Sequence, residues 1–373
     1  MDRLRDAWVE VDTSAISRNV RALKALTRPG TLFMAVVKAD GYGHGAIQAA
    51  RAAIAGGADR IGVATVTEGL ALRAEGVMCP IHVLAEAPVE ASDAIVAGDL
   101  TATVFLTGTA RSLSKAALAA GKTAVVHLKI DTGMNRIGLL SEEVVRRAIE
   151  IRALPGVSME GVFTHFATAD VPGDWDFDRQ MERLSTALED LRDSRVDAGI
   201  VHAANSPATI LHAEAHLGMV RCGIAIYGLH PAPATHERVS LNPAMSVKAR
   251  VTNVHRVETG EGVSYGYTWR ASTPTDVATI PLGYADGLHR ILTDRIRVLA
   301  GGRSCRQVGR ICMDQCMFEV PRGRAVETGD EVVIVGAQGS ERIALEEVAA
   351  HAGTINYEMA CAFSMRLPRV YPA

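Results

Sequence analysis

Residues 32–45 read LFMAVVKADGYGHG, and this stretch decides the fold. Positions 32–37 form an unbroken apolar run. The run is too short for a buried helix and reads as a strand covered on both faces, as in a parallel sheet. Lys38 ends it, and Gly41, Tyr42, Gly43 and Gly45 follow in a tight loop. A lysine at the end of a buried strand is poorly hydrated. Desolvation lowers a lysine pKa and frees the amine as a nucleophile or Schiff-base former. Taken alone, Lys38 reads more simply as an ammonium that snorkels to solvent; motifs further along reverse that.

Outward from this strand, short apolar runs recur at 61–65, 81–85, 101–105, 124–130, 160–166, 200–204 and 219–227. Amphipathic helical patterns fill most of the gaps, among them 46–54, 142–153 and 177–191. Counted from the Lys38 strand, the runs give eight strands, the number of an α/β fold of the (β/α)8 TIM-barrel type. An open doubly wound sheet is the alternative. Barrels carry reactive residues at the C-terminal ends of many strands. Lys38, Arg136, His165, Ser206 and Arg221 all lie at or just after such ends. Near 231–243 (PAPATHERVSLNP) the texture becomes that of a linker, and short β runs follow it. The expected division is a barrel domain over 1–238, including a strand at 7–11, and a mostly β domain over 239–373.

The 373 residues suit two domains, and a hydrophobic content of 48% can bury both cores. A net charge of −3 leaves no basic excess for a phosphate backbone, which argues against nucleic acid. The six cysteines include no C-x-x-C pair and are too sparse for a disulfide framework. The first residues lack the apolar core of a signal peptide, and no stretch is long and pure enough to span a membrane. A cytoplasmic protein is expected.

Several motifs carry no function. Gly41-x-Gly43-x-Gly45 is not the dinucleotide pattern G-x-G-x-x-G. Gly121-Lys122-Thr123 ends like a P-loop, but Ala116 stands where its first glycine belongs. His212 and His216 are spaced i and i+4, yet Glu214 is one position later than in H-E-x-x-H. A solvated helix, with no metal, is the expected reading there.

Other stretches act together: KIDTGMNRIG (129–138), AANSP (203–207), VRCGIAIYG (220–228), VSYG (263–266), PLGYADG (281–287), GRICMDQ (309–315) and TINYE (354–358). With VVKADGYGHG this set closely resembles the alanine racemases, pyridoxal-phosphate (PLP) enzymes of fold type III, nearly from end to end. The resemblance implies that Lys38 holds the cofactor covalently. It sets Arg221 against the pyridine nitrogen and His165 against the ring, with Asn205 supporting the site indirectly. Gly223, Ile224 and Ser206 would bind the phosphate, joined by the phenols of Tyr42 and Tyr357. Arg136 and the Met313 N–H would hold the substrate carboxylate. Lys129 matches a lysine that is often carbamylated, and Tyr284, Asp286 and Arg290 match an entry corridor. Cys312 and Asp314 flank Met313 in a supporting place.

Elementary chemistry agrees with much of this. An arginine cannot accept a proton, so Arg221 would disfavour a protonated pyridine and weaken the electron sink. Alone, Arg221 reads as a barrel-end salt bridge, His165 as a core histidine and Ser206 as an N-cap before Pro207. Racemisation removes a proton from one face of the α-carbon and returns it on the other, so two acid–base groups are needed. The resemblance assigns them to Lys38 and to Tyr265 from a second subunit, which makes a homodimer with shared active sites. A tyrosine serves as a base only where a neighbour such as a cation lowers its pKa. The expected reaction interconverts L- and D-alanine, with D-alanine supplied to peptidoglycan. A racemase of wider range is the nearest alternative. A decarboxylase would lack VSYG and the Arg136 turn, and a PLP carrier would lack the β domain.

Overall fold

The structure, a computed structural model, describes residues 4–171, 173–320 and 326–372. It opens with β1 (Ala7–Val11). Eight parallel strands then close a barrel: β2 (Leu32–Val36), β3 (Arg60–Val63), β4 (Ile81–Val83), β5 (Leu100–Val104), β6 (Ala124–Lys129), β7 (Val157–Phe163), β8 (Ile200–His202) and β9 (Met219–Cys222). Met34 on β2 stands opposite Arg60 on one side and Arg221 on the other, which closes the ring. From Phe33 to Val37 every residue is buried, as a strand between barrel interior and outer helices requires.

The helices carry their expected signatures. Thr65 and Glu68 form a reciprocal capping box on Val66–Ala74, and Asp174 caps Trp175–Asp193. That long helix buries Phe177, Gln180, Leu184, Ala187 and Leu191, a stripe at i, i+3 and i+4 spacing. No helix among the described residues is long and apolar enough to cross a membrane.

The chain divides into two compact units. The barrel unit is Ser14–Gly41 with Ala46–Pro243; the other holds the residues up to Thr13, Tyr42–Gly45, and the chain from Ala244 on. This differs from a division at 238 in two ways. β1 is not part of the barrel. It pairs antiparallel with β10 (Met245–Arg250), from Ala7 opposite Ala249 to Val11 opposite Met245, and parallel with Arg369–Val370. A five-residue strand before a helix looks locally like the first step of a βα series; its true partner lies more than two hundred residues away. Tyr42–Gly45 is the second difference, because Arg369 Nε donates to Gly43 O at 3.0 Å and Tyr371 Oη to His44 O at 3.2 Å.

The second unit is mostly β. Residues 244–257 form two strands, β10 and Asn253–Val257, which lie in different sheets. The chain crosses between them at Thr252, whose N–H already donates to Thr279 O at 2.9 Å. Asn253–Val257, Thr275–Ile280 and Cys316–Glu319 form a three-stranded sheet over a core of Val257, Val263, Ala271, Val277, Val308 and Met317. Two helices, Leu345–Ala352 and Asn356–Ala362, follow.

Candidate active site

Lys38, half-buried, leaves β2 and enters a left-handed turn. Ala39, Asp40 and Tyr42 all have φ of 52° and Gly41 has 62°. Each non-glycine residue in that region costs about 1–2 kcal/mol. The turn is held by its own hydrogen bonds. Glu68 Oε1 accepts from Ala39 N at 2.8 Å, Val37 O from Gly41 N at 2.8 Å, and Asp40 Oδ1 from Ala46 N at 2.9 Å. Strain concentrated beside one lysine marks a place where backbone geometry matters.

Arg221 on β9 is buried, with carbonyls and imidazoles as its acceptors. Nη2 donates to Thr164 O (2.8 Å) and Ala203 O (3.0 Å) and lies 3.1 Å from His165 Nδ1. Nη1 lies 3.0 Å from His202 Nδ1. Burial without an anionic partner brings the guanidinium pKa down to about 9. His165 is held neutral, well below the ordinary histidine range. Burial is the main cause; Arg221, Arg136, Lys129 and Lys38 add to it. Four cationic side chains are thus within electrostatic reach of one imidazole.

Lys129, the last residue of β6, is buried. Its Nζ donates to Ile130 O at 2.6 Å and Ile137 O at 3.3 Å. Burial first, then Arg221 and Arg136, push its amine down to about 7 against the pull of Asp131. Asp131 also shapes the following turn by accepting from Gly133 N (2.9 Å) and Asn135 N (3.1 Å). Arg136 is exposed and makes no ion pair among the described residues.

The N-cap before Pro207 is Asn205, not Ser206: Asn205 Oδ1 accepts from Ala208 N at 3.2 Å. Ser206 is the first residue of the helix and faces β9 instead. There Ser206 Oγ accepts from Gly223 N at 3.0 Å and, at the limit of bonding distance, from Ala225 N. The Gly223 N–H is therefore engaged by Ser206. Ile224 starts a 3₁₀ turn, where N–H groups have no acceptor within the turn.

These residues fit an anionic cofactor. Ser206 is buried, spends its lone pairs on backbone N–H groups and donates its own proton to no acceptor among the described residues. The cations grouped about His165 outnumber the one carboxylate, Asp131, that bears on Lys129. An anion offsets that imbalance.

In the second unit Tyr42 is buried, its phenol pKa raised chiefly by burial, with its ring 6.3 Å from that of half-buried Tyr357. Tyr265 is 71% exposed and begins a short turn after Ser264, whose φ is 65°. Met313 and Tyr284 are exposed too, as is Arg290. Cys312 O accepts from Tyr284 N at 3.0 Å, and Asp314 pairs with Arg366 at 2.6 Å. Asp286 departs from a place on a corridor. It is fully buried, accepts from Gly283 N at 3.0 Å and pairs with Arg5 at 2.7 Å, because a tight turn at Gly283–Gly287 needs an internal acceptor. His216 also departs from a solvated helix: it is buried, with Nε2 2.9 Å from Thr209 O, and His212 stacks on Phe177.

Sequence reasoning missed a group inside the barrel: His82, His127 and His202, with Glu160 and Arg60. Their ring nitrogens come within 4.8 Å of one another. The available signal was a polar residue in the middle of otherwise apolar strands.

Comparison with known proteins gives two matching family models. "Alanine racemase, N-terminal domain" covers residues 11–231, and "Alanine racemase, C-terminal domain" covers 244–371. Alanine racemase of Symbiobacterium thermophilum is 46% identical over 371 residues, 100% of this chain and 98% of that protein. The crystal structure of alanine racemase from Bacillus anthracis with bound L-Ala-P has a TM-score of 0.93 and 37% identity, covering 100% of this chain and 96% of that one. A histidine racemase from Leuconostoc mesenteroides has a TM-score of 0.91 and 29% identity over 99% of each chain.

One pH dependence follows. His82, His127, His165 and His202 all have folded pKa values below the ordinary 6.5, mainly through burial. As pH falls below 6.5 the unfolded chain takes up protons that the folded chain refuses. Stability is therefore complete above that pH and falls beneath it, by at most about 1.4 kcal/mol per pH unit for each such histidine. Urea midpoints measured between pH 7.5 and 5.5 are expected to drop steeply below 6.5; a flat profile contradicts the neutral assignment.

Proposed function

The chain belongs to the alanine racemase family, and from that premise we propose which of its residues carry the interconversion of L- and D-alanine. The enzyme is an isomerase dependent on pyridoxal phosphate. Bound, the cofactor supplies the electron sink that makes the alanine α-proton acidic. The residues do the rest. Lys38 anchors the cofactor, and its Nζ then takes or returns the α-proton on one face. The Tyr265 hydroxyl of a second copy serves the opposite face. Arg221 keeps its proton and would disfavour protonation of the cofactor's ring nitrogen, which would weaken the sink. Ser206, held in place by the Gly223 N–H, would give its unspent proton to the phosphate, beside the Ile224 N–H and the Tyr42 and Tyr357 phenols. Asn205 fixes the turn that carries Ser206, and neutral His165 would lie against the ring. Arg136 and the Met313 N–H hold the carboxylate, and Tyr284 and Arg290 line the approach. Asp286 acts beneath them by holding the Gly283 turn.

The observation that carries this reading is the strained Lys38 turn at the end of a barrel strand, with Lys38, Lys129, Arg136 and Arg221 all acting on neutral His165. A homodimer is supported by exposed side chains of the second unit: Tyr265, 71% exposed, with Tyr267 and Met313 also exposed. Six cysteines outside any disulfide support a cytoplasmic enzyme, and D-alanine for peptidoglycan is its proposed product.

With L-alanine in D₂O, the enzyme is expected to form D-alanine carrying one deuterium at the α-carbon. Tyr265→Phe should cut the rate by about 10²–10⁴-fold. Racemisation of histidine or serine with alanine untouched would keep the scaffold and overturn the substrate; alanine that never exchanges its α-proton would overturn the roles of Lys38 and Tyr265.

Lys129 is proposed to be carbamylated, giving exposed Arg136 an anionic partner. With its pKa at about 7, the amine is mostly neutral at pH 8 and open to carbon dioxide. ¹³C-bicarbonate at pH 8 should yield one carbamate resonance that Lys129→Ala lacks and that fades below pH 7. No such resonance in the wild type rules the modification out.

A further inference from the structure

A chain of hydrogen bonds runs through the barrel away from Arg221. Arg221 Nη1 is 3.0 Å from His202 Nδ1. His202 Nε2 is 2.8 Å from His127 Nδ1, and His127 Nε2 is 2.9 Å from Glu160 Oε2. Arg60, the first residue of β3, closes the far end with two bonds to the Glu160 carboxylate, at 2.6 and 2.9 Å. His82, His127, His202 and Arg221 are buried.

The direction of every proton in this chain follows from its ends. A guanidinium only donates, so His202 Nδ1 must be a bare lone pair. A carboxylate only accepts, so His127 Nε2 must carry a proton. A neutral His127 then has a lone pair on Nδ1, which accepts from His202 Nε2–H. The two demands meet without conflict, and both imidazoles are Nε2–H tautomers. Glu160 stays ionised, its pKa held down to about 2 by His127 and Arg60. A metal ion among the three histidines fits poorly. The lone pairs of His127 and His202 are already taken, and a dication would sit beside buried Arg221.

We propose that Glu160 is a positioning residue for Arg221, acting through His127 and His202 to fix the lone pair that orients the guanidinium. Without an acceptor-only group at its far end, the direction of the chain is held by Arg221 alone, and a far-end group that can also donate competes with it. Both imidazoles can then turn to the other tautomer, and His202 presents an N–H to a buried cation. Arg221 loses one of its acceptors and no longer sits in a single orientation. The consequence for the cofactor rests on the reading that Arg221 faces the ring nitrogen. A loosened guanidinium then restrains the sink less, and side transamination rises relative to racemisation.

Two measurements test this. In ¹⁵N-histidine holoenzyme at pH 8, with resonances assigned through His127→Asn and His202→Asn, both rings are expected as neutral Nε2–H tautomers. An imidazolium or an Nδ1–H tautomer at either position overturns the relay, and no folded Glu160 variant is needed to see it. The second uses Glu160→Gln, whose amide can donate as well as accept. Nδ1–H tautomer is expected to appear at His202. The ratio of transamination (pyruvate released, with the cofactor left in its amine form) to racemisation should rise at least tenfold. KM for alanine should change less than twofold, and the absorption band of the bound cofactor should shift. Arg60→Met, which keeps the carboxylate, should move the ratio less than twofold. A folded Glu160→Gln enzyme with unchanged histidine tautomers overturns the proposal. Arg221→Lys checks the underlying reading separately: a wild-type ratio there removes Arg221 from the cofactor, while the tautomers still decide the relay.

Discussion

A guanidinium buried at the strand ends of the barrel, with carbonyl and imidazole acceptors instead of a carboxylate, constrains everything around it. An isolated buried charge is costly, and hydrogen bonds must carry the stabilisation that an ion pair would otherwise supply. Arg221 meets this with two backbone carbonyls and two histidines. Both histidines must be neutral for the arrangement to work, and burial beside other cations makes them so. Burial first, and then the same positive surroundings, lower the Lys129 amine and leave a site whose natural complement is an anion.

The left-handed turn after Lys38 belongs to the same logic. Three non-glycine residues in an unfavourable conformation persist only because surrounding bonds over-determine them. Glu68 does two jobs there. It completes the capping box of its own helix and accepts the Ala39 N–H, so the start of one helix is tied to the residue after the lysine. The turn also separates the two units, with 38–41 in the barrel unit and Tyr42–Gly45 in the other. Tyr42 and Tyr357 accordingly share a unit, and their ring contact is internal to it.

Much of this was legible in the sequence because parallel strands buried on both faces leave apolar runs that nothing else explains. The eight barrel strands, their polar termini and the β texture beyond residue 244 all come from that signal. What escaped has one physical cause, dependence on partners distant in sequence. β1 fell within the expected barrel domain because its pairing with Met245–Arg250 leaves no local trace. Asn205 and Ser206 both suit a cap, and only the approach of Gly223 assigns the hydroxyl of Ser206 elsewhere. Asp286 reads as a surface aspartate until Arg5 and the Gly283 turn enclose it. The histidine chain is the extreme case, since each of its members alone is an unremarked polar residue in a strand.

The central claim is that Lys38 of one copy and Tyr265 of another complete a single site. Mixing Lys38→Ala with Tyr265→Ala, each inactive alone, tests it most directly. After subunit exchange, half of the dimers are mixed and each carries one intact site, so about a quarter of wild-type activity should return. A mixture that exchanges subunits and stays inactive would contradict the account.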